Sequence, residues 1–446
     1  MKKLMVSENL QLGLWCLFVA AAFILETNIL VSAQTSRPQA RNRWEKLVYD
    51  DAKALIEETT LELAKNPQNA VALRMRSSAF YRNSDQEKGK ADAVAALALL
   101  KNPADAGEFE AKCYAERRLE KYDDALLSCT KAIELDSKYA WAYYNRANAK
   151  EGKKQYEQAV NDYTKAIELH PTFQDAFSRR GDIHSANKEY DKALADYTKA
   201  IELDPKRASV YTGRGYVHLL KKDYDLAIAD YTKAIEIAPV SAGTYNDRGY
   251  TYSVKNEDKL ALADYTKSIE LDPKGTRSLA NRGYLYSRNK EYDKANADLT
   301  KVIELDPKFV GAYLYRGLNH YDKKEYDKAI SDYTKAIELE PKFARAYYNR
   351  AGAYFDKNAY DLALADYTKS IEFDPKEAWA YYNRGNTYFQ QKEYDLAIAD
   401  YTKAIEIDPK QALGYNNRAN SHEAKGDKLL ADKDRQKVKE LAGQPK

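Results

Sequence analysis

Few side chains in this 446-residue sequence could bind a metal or move a proton: it has five histidines and three cysteines. His184, His218, His320 and His422 are the natural candidates, since imidazole suits zinc and copper. A zinc site needs three or four such groups converging on one ion. These four are instead separated by multiples of 34 residues, and Tyr252, Tyr286, Tyr354 and Tyr388 stand at other steps of the same ruler. The histidines therefore replace packing aromatics, one at a time, and neighbouring ones sit too far apart to share an ion easily. His170 merely precedes a proline. The sequence has no His-Glu-x-x-His, paired-cysteine, glycine-rich phosphate-loop or Gly-x-Ser-x-Gly pattern. The expectation is a protein with no catalytic residues, no metal site and no cofactor: not an enzyme.

Anion binding is the second chemistry on offer. Arg146, Arg180, Arg214, Arg248, Arg282, Arg316, Arg350, Arg384 and Arg418 fall on the 34-residue ruler, and aligned guanidiniums could form a ladder for carboxylate or phosphate. Each is followed 16 residues later by an aspartate, from Asp162 to Asp434. Where the ruler places Lys112 instead of arginine, it places Ser128 instead of aspartate, so both partners are lost together. That joint change points to Arg–Asp pairing, across a helix pair or to the next repeat. Cys113 and Cys129 share the same stretch. In a reducing compartment they would be small core residues. After export a disulfide is open to them, although helices packed about 8–10 Å apart do not guarantee the approach below about 7 Å that it needs.

The elements that must hold these residues follow from the period. Pro171, Pro205, Pro239, Pro273, Pro307, Pro341, Pro375 and Pro409 are spaced by 34 residues, and a fixed period is the mark of a repeat architecture. In the unit 378–411, Tyr381, Gly385 and Tyr388 form one helical stripe, and Tyr394, Ala397, Tyr401 and Ala404 a second. The polar "QQKE" between them predicts a turn, and Asp408-Pro409 ends the second helix. Each unit reads as two short antiparallel helices.

This pattern resembles the tetratricopeptide family, carried in the last good unit by Tyr381, Arg384, Gly385, Tyr388, Ala397, Tyr401 and Pro409. The resemblance implies an all-α, right-handed superhelical solenoid of antiparallel helix pairs with a 34-residue repeat. Nine well-formed repeats cover 106–411. A degenerate one covers 72–105, a helical segment 34–71, and a degenerate capping repeat 412–446. In that family the first helix of each pair lines the concave face. Arginine where the family usually has leucine is this sequence's departure.

On that face the register of Asn386 holds Tyr216, Tyr250 and Tyr284, an aromatic line that Tyr348, Phe355, Tyr382 and Phe389 extend toward the C-terminal end, and Trp379 and Asn383 share the face. These nine are the candidate partner-binding residues, because aromatics supply contact area and amides can bond an extended peptide. The competing reading is that these registers vary for want of constraint. The register of Tyr382 has no lysine or arginine from Tyr144 to Asn416, which argues against a clamp for terminal carboxylates of the kind some family members use. With 71 basic and 68 acidic residues interleaved, there is no field to gather nucleic acid. The expected function is a non-catalytic scaffold binding proteins or extended peptides along the groove. The alternative is a structural spacer or self-assembling element.

The N-terminus differs in kind. Lys2 and Lys3 precede an apolar run from Leu12 to Leu25, and "VSA" at 31–33 precedes Gln34. A run of this length suits a signal peptide better than a membrane span. Residues 1–33 are thus expected to direct export, periplasmic or secreted, with a membrane-retained signal anchor as the alternative.

Overall fold

The computed structural model describes residues 43–45, 47–48 and 51–442. The expected signal segment 1–33 and the Gln34 junction lie outside the described residues. The chain divides into an N-terminal unit ending at Val217 and a C-terminal unit starting at His218.

Each unit is a stack of helix pairs. In the N-terminal unit the helix Ala52–Lys65 precedes four pairs: Ala70–Arg82 with Gln86–Leu99, Ala106–Arg118 with Tyr122–Leu135, Ala140–Gly152 with Tyr156–Leu169, and Gln174–Ala186 with Tyr190–Leu203. In the C-terminal unit Tyr224–Ile237 precedes six: Ala242–Val254 with Asp258–Leu271, Thr276–Arg288 with Tyr292–Leu305, Val310–Asp322 with Tyr326–Leu339, Ala344–Asp356 with Tyr360–Phe373, Ala378–Gln390 with Tyr394–Ile407, and Ala412–Lys425 with Lys428–Ala442. The helix Ala208–Leu220 carries the boundary. No strand occurs among the described residues. This is the all-α stack of antiparallel pairs that the period predicts. One interval departs from it: the first pair starts at Ala70, so it begins two residues ahead of the 72–105 frame.

The turns inside the pairs share one geometry. Lys154, Lys188, Lys222, Asn256, Lys290, Lys324, Asn358 and Lys392 have φ between 57° and 67°, in the left-handed region. At Lys154 the amide bonds Glu151 O and the next amide, of Gln155, bonds Lys150 O, at 2.8 and 2.9 Å. These two bonds satisfy carbonyls that a helix end would otherwise leave open. Between pairs, Asp204, Asp306 and Asp408 each accept from the amide two residues on, at 3.0–3.1 Å. The recurring Asp-Pro-Lys is therefore an Asx-type turn closed by its own side chain.

Within a pair the helices meet at a small residue. A Cβ on Gly385 would lie 2.9 Å from the Tyr401 ring, and one on Gly317 2.7 Å from Tyr333. The ring fills the space left by the missing side chain, and Ala397 and Ala404 bury the rest of the stripe. In the pair Ala106–Arg118 with Tyr122–Leu135 the same contact is made by Cys113 and Cys129. They are disulfide-bonded with Cα atoms 5.2 Å apart.

Arginine joins one pair to the one before it. Arg282 donates from Nε and Nη2 to both carboxylate oxygens of Asp298, at 2.8 and 2.9 Å, and from Nη1 to Thr266 of the preceding pair at 3.1 Å. Arg146, Arg180, Arg248, Arg316, Arg350, Arg384 and Arg418 make the same three-way contact. So does Arg76 with Asp92 and Thr60, a rung displaced from the 34-residue ruler. These rungs are already closed by carboxylates and are not open anion sites. In the pair that lacks the rung, Glu116 replaces it by accepting from Ser128 at 2.7 Å and facing Lys112 at 3.9 Å.

Candidate functional site: clefts on the first-helix face

The first helices of the C-terminal unit carry a recess. Tyr250, Tyr284 and Tyr315, from three successive first helices, line a cleft of about 470 Å³. Leu285 and Leu318 add apolar wall, Asn281, Asn319 and Arg288 supply donors, and Asp322 is a rim acceptor. Tyr250 is 47 % exposed, whereas Tyr284 lies tilted on Tyr315 with ring centroids 4.1 Å apart. Burial and the neighbouring Tyr315 push the Tyr284 phenol up to about 12, so it remains a neutral donor near pH 7. Gly311 permits this placement: a Cβ there would meet the Tyr284 hydroxyl at 2.7 Å. Asp322 accepts from Tyr292 at 3.0 Å, and Arg288 is paired with Asp258. Such a surface can take an extended apolar and hydrogen-bonding segment, since rings, apolar side chains and polar groups line it together.

A second cleft of about 240 Å³ lies further along the same unit, lined by Phe355, Phe389, Asn386, Gln390, Tyr401, Asn417 and Asn420. Phe355 and Phe389 stand two and three repeats beyond Ser287 of the larger cleft in the same register. One helix position is therefore recessed in both places.

The residues expected to form one line are thus distributed. Tyr250 and Tyr284 share the larger cleft, Phe355 and Phe389 the smaller. Tyr216 belongs to the N-terminal unit, where it is 48 % exposed. Trp379 is 44 % exposed and packs edge-on against Tyr382. Tyr382 itself is buried, accepts from Asn417 at 2.9 Å and packs on Tyr401. Asn383 donates to the Tyr348 hydroxyl at 2.8 Å. Tyr348, Tyr382 and Asn383 therefore bond neighbouring first helices to one another, and none of them lines either cleft. Sequence reasoning missed Tyr315, and with it Arg288 and Asp322 of the same cleft. The only signal was that an aromatic replaces an amide one repeat after Tyr284.

His184 and His320 are engaged locally. His184 Nδ1 lies 2.5 Å from Glu189 and His320 Nδ1 2.7 Å from Glu325. Their Nε2 atoms face the ladder carboxylates of Asp196 and Asp332 at 3.9 and 4.0 Å. Among the described residues no group of three or more His, Cys, Asp or Glu could hold a metal ion. Nor does any described helix have the length and apolarity to cross a membrane.

A stack of helix pairs with a recessed, aromatic first-helix face defines a helical-repeat scaffold of the kind that mediates protein–protein interaction. Family models described as tetratricopeptide repeat match residues 140–173, 175–207, 208–239, 242–274, 264–295 and 378–411, and one described as TPR repeat matches 317–355 and 351–392. The chain belongs to the tetratricopeptide repeat family. No curated protein matches it in sequence. Among solved structures it is similar to YrrB, described as a TPR protein with an unusual peptide-binding site, at 27% identity over 42% of this chain and 96% of that one, with TM-score 0.37. It is similar to MamA at 29% identity, covering 36% and 94% of the two chains, with TM-score 0.35. A tetratricopeptide repeat protein from Parabacteroides merdae matches at 22% identity over 58% and 98%, with TM-score 0.44.

Proposed function

We propose that this protein is an exported, non-catalytic scaffold that binds extended segments of partner proteins along its first-helix face. The carrying observation is the cleft between Tyr250, Tyr284 and Tyr315, where three successive repeats present rings that the stacking stripe does not use. Interfaces draw most of their energy from a few such aromatics. The Cys113–Cys129 disulfide supports export, since such bonds persist in oxidising compartments. Helix pairs account for nearly all of residues 70–442, which leaves no separate segment for a catalytic domain.

The test is Tyr250→Ser combined with Tyr284→Ser. A partner captured from envelope extract by the wild-type chain should bind the variant at least about tenfold more weakly, because each lost aromatic anchor costs about 2 kcal/mol. Helicity by circular dichroism should stay unchanged. Equal affinity for both chains would remove the cleft from the function.

A further inference from the structure

The end of the first helix Ala106–Arg118 holds two guanidiniums that no described carboxylate neutralises. Arg117 lies 5.2 Å from the Tyr114 ring centroid, and its covered Nε has no hydrogen-bond partner. Arg118 stacks over Tyr81 at 3.8 Å and donates from Nε to the Tyr114 hydroxyl at 3.2 Å. Neither makes an ion pair with any described residue, although the ladder arginines all described above are closed by aspartate. Two adjacent, partly buried cations without a counter-charge are an unfavourable arrangement. The surroundings register it. Burial and then Arg118 push Arg117 down to about 10, and although burial raises the Tyr114 phenol, Arg118, Arg117, the Ser77 hydrogen bond and Arg74 together hold it below its ordinary value.

Register places this pair on the binding face. Arg117 occupies the helix position of Phe355 and Phe389, and Arg118 that of Arg288, Asp322 and Gln390, all of which line the two clefts. The preceding pair shows what such a position accepts. Arg82 ends its first helix as Arg118 ends the next, and it binds the carboxylate of Asp175 at 2.7 Å. The acid one repeat beyond Arg117 is Glu151, which is already taken: it accepts from Tyr163 at 2.8 Å and faces Arg179 at 3.8 Å.

We infer that Arg117 and Arg118 form a carboxylate-binding site for an acidic side chain of an extended partner polypeptide. The inference rests on the reading of the first-helix face as a polypeptide-binding surface, and deepens it. A guanidinium fork matches a planar carboxylate in two hydrogen bonds, and the flanking rings of Tyr81 and Tyr114 exclude water from them. Within the same segment, apolar side chains next to the acid would meet those rings.

The experiment uses the full chain and a short, C-terminally amidated oligoglutamate peptide, followed by fluorescence polarisation and thermal melting. The peptide should bind, more weakly as salt rises, and at least about tenfold more weakly to Arg117→Met with Arg118→Met. Lys199→Ser and the Tyr250→Ser, Tyr284→Ser variant should bind it like the wild type, which separates this site from the aromatic cleft. In melts the peptide should raise the midpoint of the wild type but not of the arginine variant. Without peptide, Arg117→Met should melt no lower than the wild type, because it removes an uncompensated charge. A lower midpoint would assign Arg117 a structural role and overturn the site, as would equal peptide affinity for wild type and arginine variant. Binding only of a free-terminus oligoglutamine would overturn the side-chain source in favour of a terminal carboxylate.

Discussion

At the scale of single residues, the chain contrasts two copies of one polar cluster. Tyr401 donates to Asn386 Oδ1 at 2.8 Å, and Asn417 donates to the same oxygen at 2.8 Å and to Tyr382 at 2.9 Å. Two repeats earlier, Leu314 and Leu318 stand where Tyr382 and Asn386 stand later. The corresponding donors, Tyr333 Oη and Asn349 Nδ2, are buried without an acceptor among the described residues. Removing an unsatisfied buried hydroxyl is nearly free, whereas breaking a made bond costs about 1 kcal/mol. Tyr333→Phe should therefore leave the unfolding midpoint unchanged or raise it, while Tyr401→Phe lowers stability by about 1 kcal/mol in denaturant titration. Equal losses would contradict this account. The asparagine register was legible in the sequence as a set of amides on the first helices. Its use was not, because an amide's partner lies 35 residues earlier, where Tyr348 and Leu314 alternate without changing the period.

At the scale of the element, helices and turns were readable because apolar stripes, polar turns and Asp-Pro stops repeat at 34 residues. What could not be read was the backbone sign at the turn, since lysine rather than glycine occupies it. Lys324 has φ +60°, where a side chain crowds the following carbonyl at a cost of about 1–2 kcal/mol. Glycine relieves that crowding but loses about 0.5–1 kcal/mol more backbone entropy. Lys324→Gly should thus stabilise the C-terminal unit by about 0.5 kcal/mol, measured as a raised unfolding midpoint. A lowered midpoint would show that the lysine's charge at the helix end outweighs its strain. The threonine contact of each ladder arginine was equally hidden. The second helices from Tyr122–Leu135 to Tyr394–Ile407 carry the Thr, but its partner belongs to the next pair, and spacing within one repeat does not reveal it.

At the scale of the whole molecule, each pair touches chiefly its neighbours, so damage should stay local. The Cys113–Cys129 bond closes a loop of 16 residues, worth about 3 kcal/mol in the chain-entropy account. Replacing both with alanine should weaken amide-exchange protection across 106–135 and the flanking helices of the N-terminal unit, while 242–442 exchanges as before. Uniform loss in both units would contradict the nearest-neighbour picture. The arginine rung carries a different consequence. Each pair reaches back with an arginine and offers a threonine to the pair that follows, and the rungs described here join at the same three atoms throughout. Any pair that carries both residues therefore fits behind any other such pair. A gene of this kind can lose or duplicate one repeat length by unequal crossing-over and still encode a chain whose joints close, so its reach can be adjusted in whole steps without redesigning a single contact.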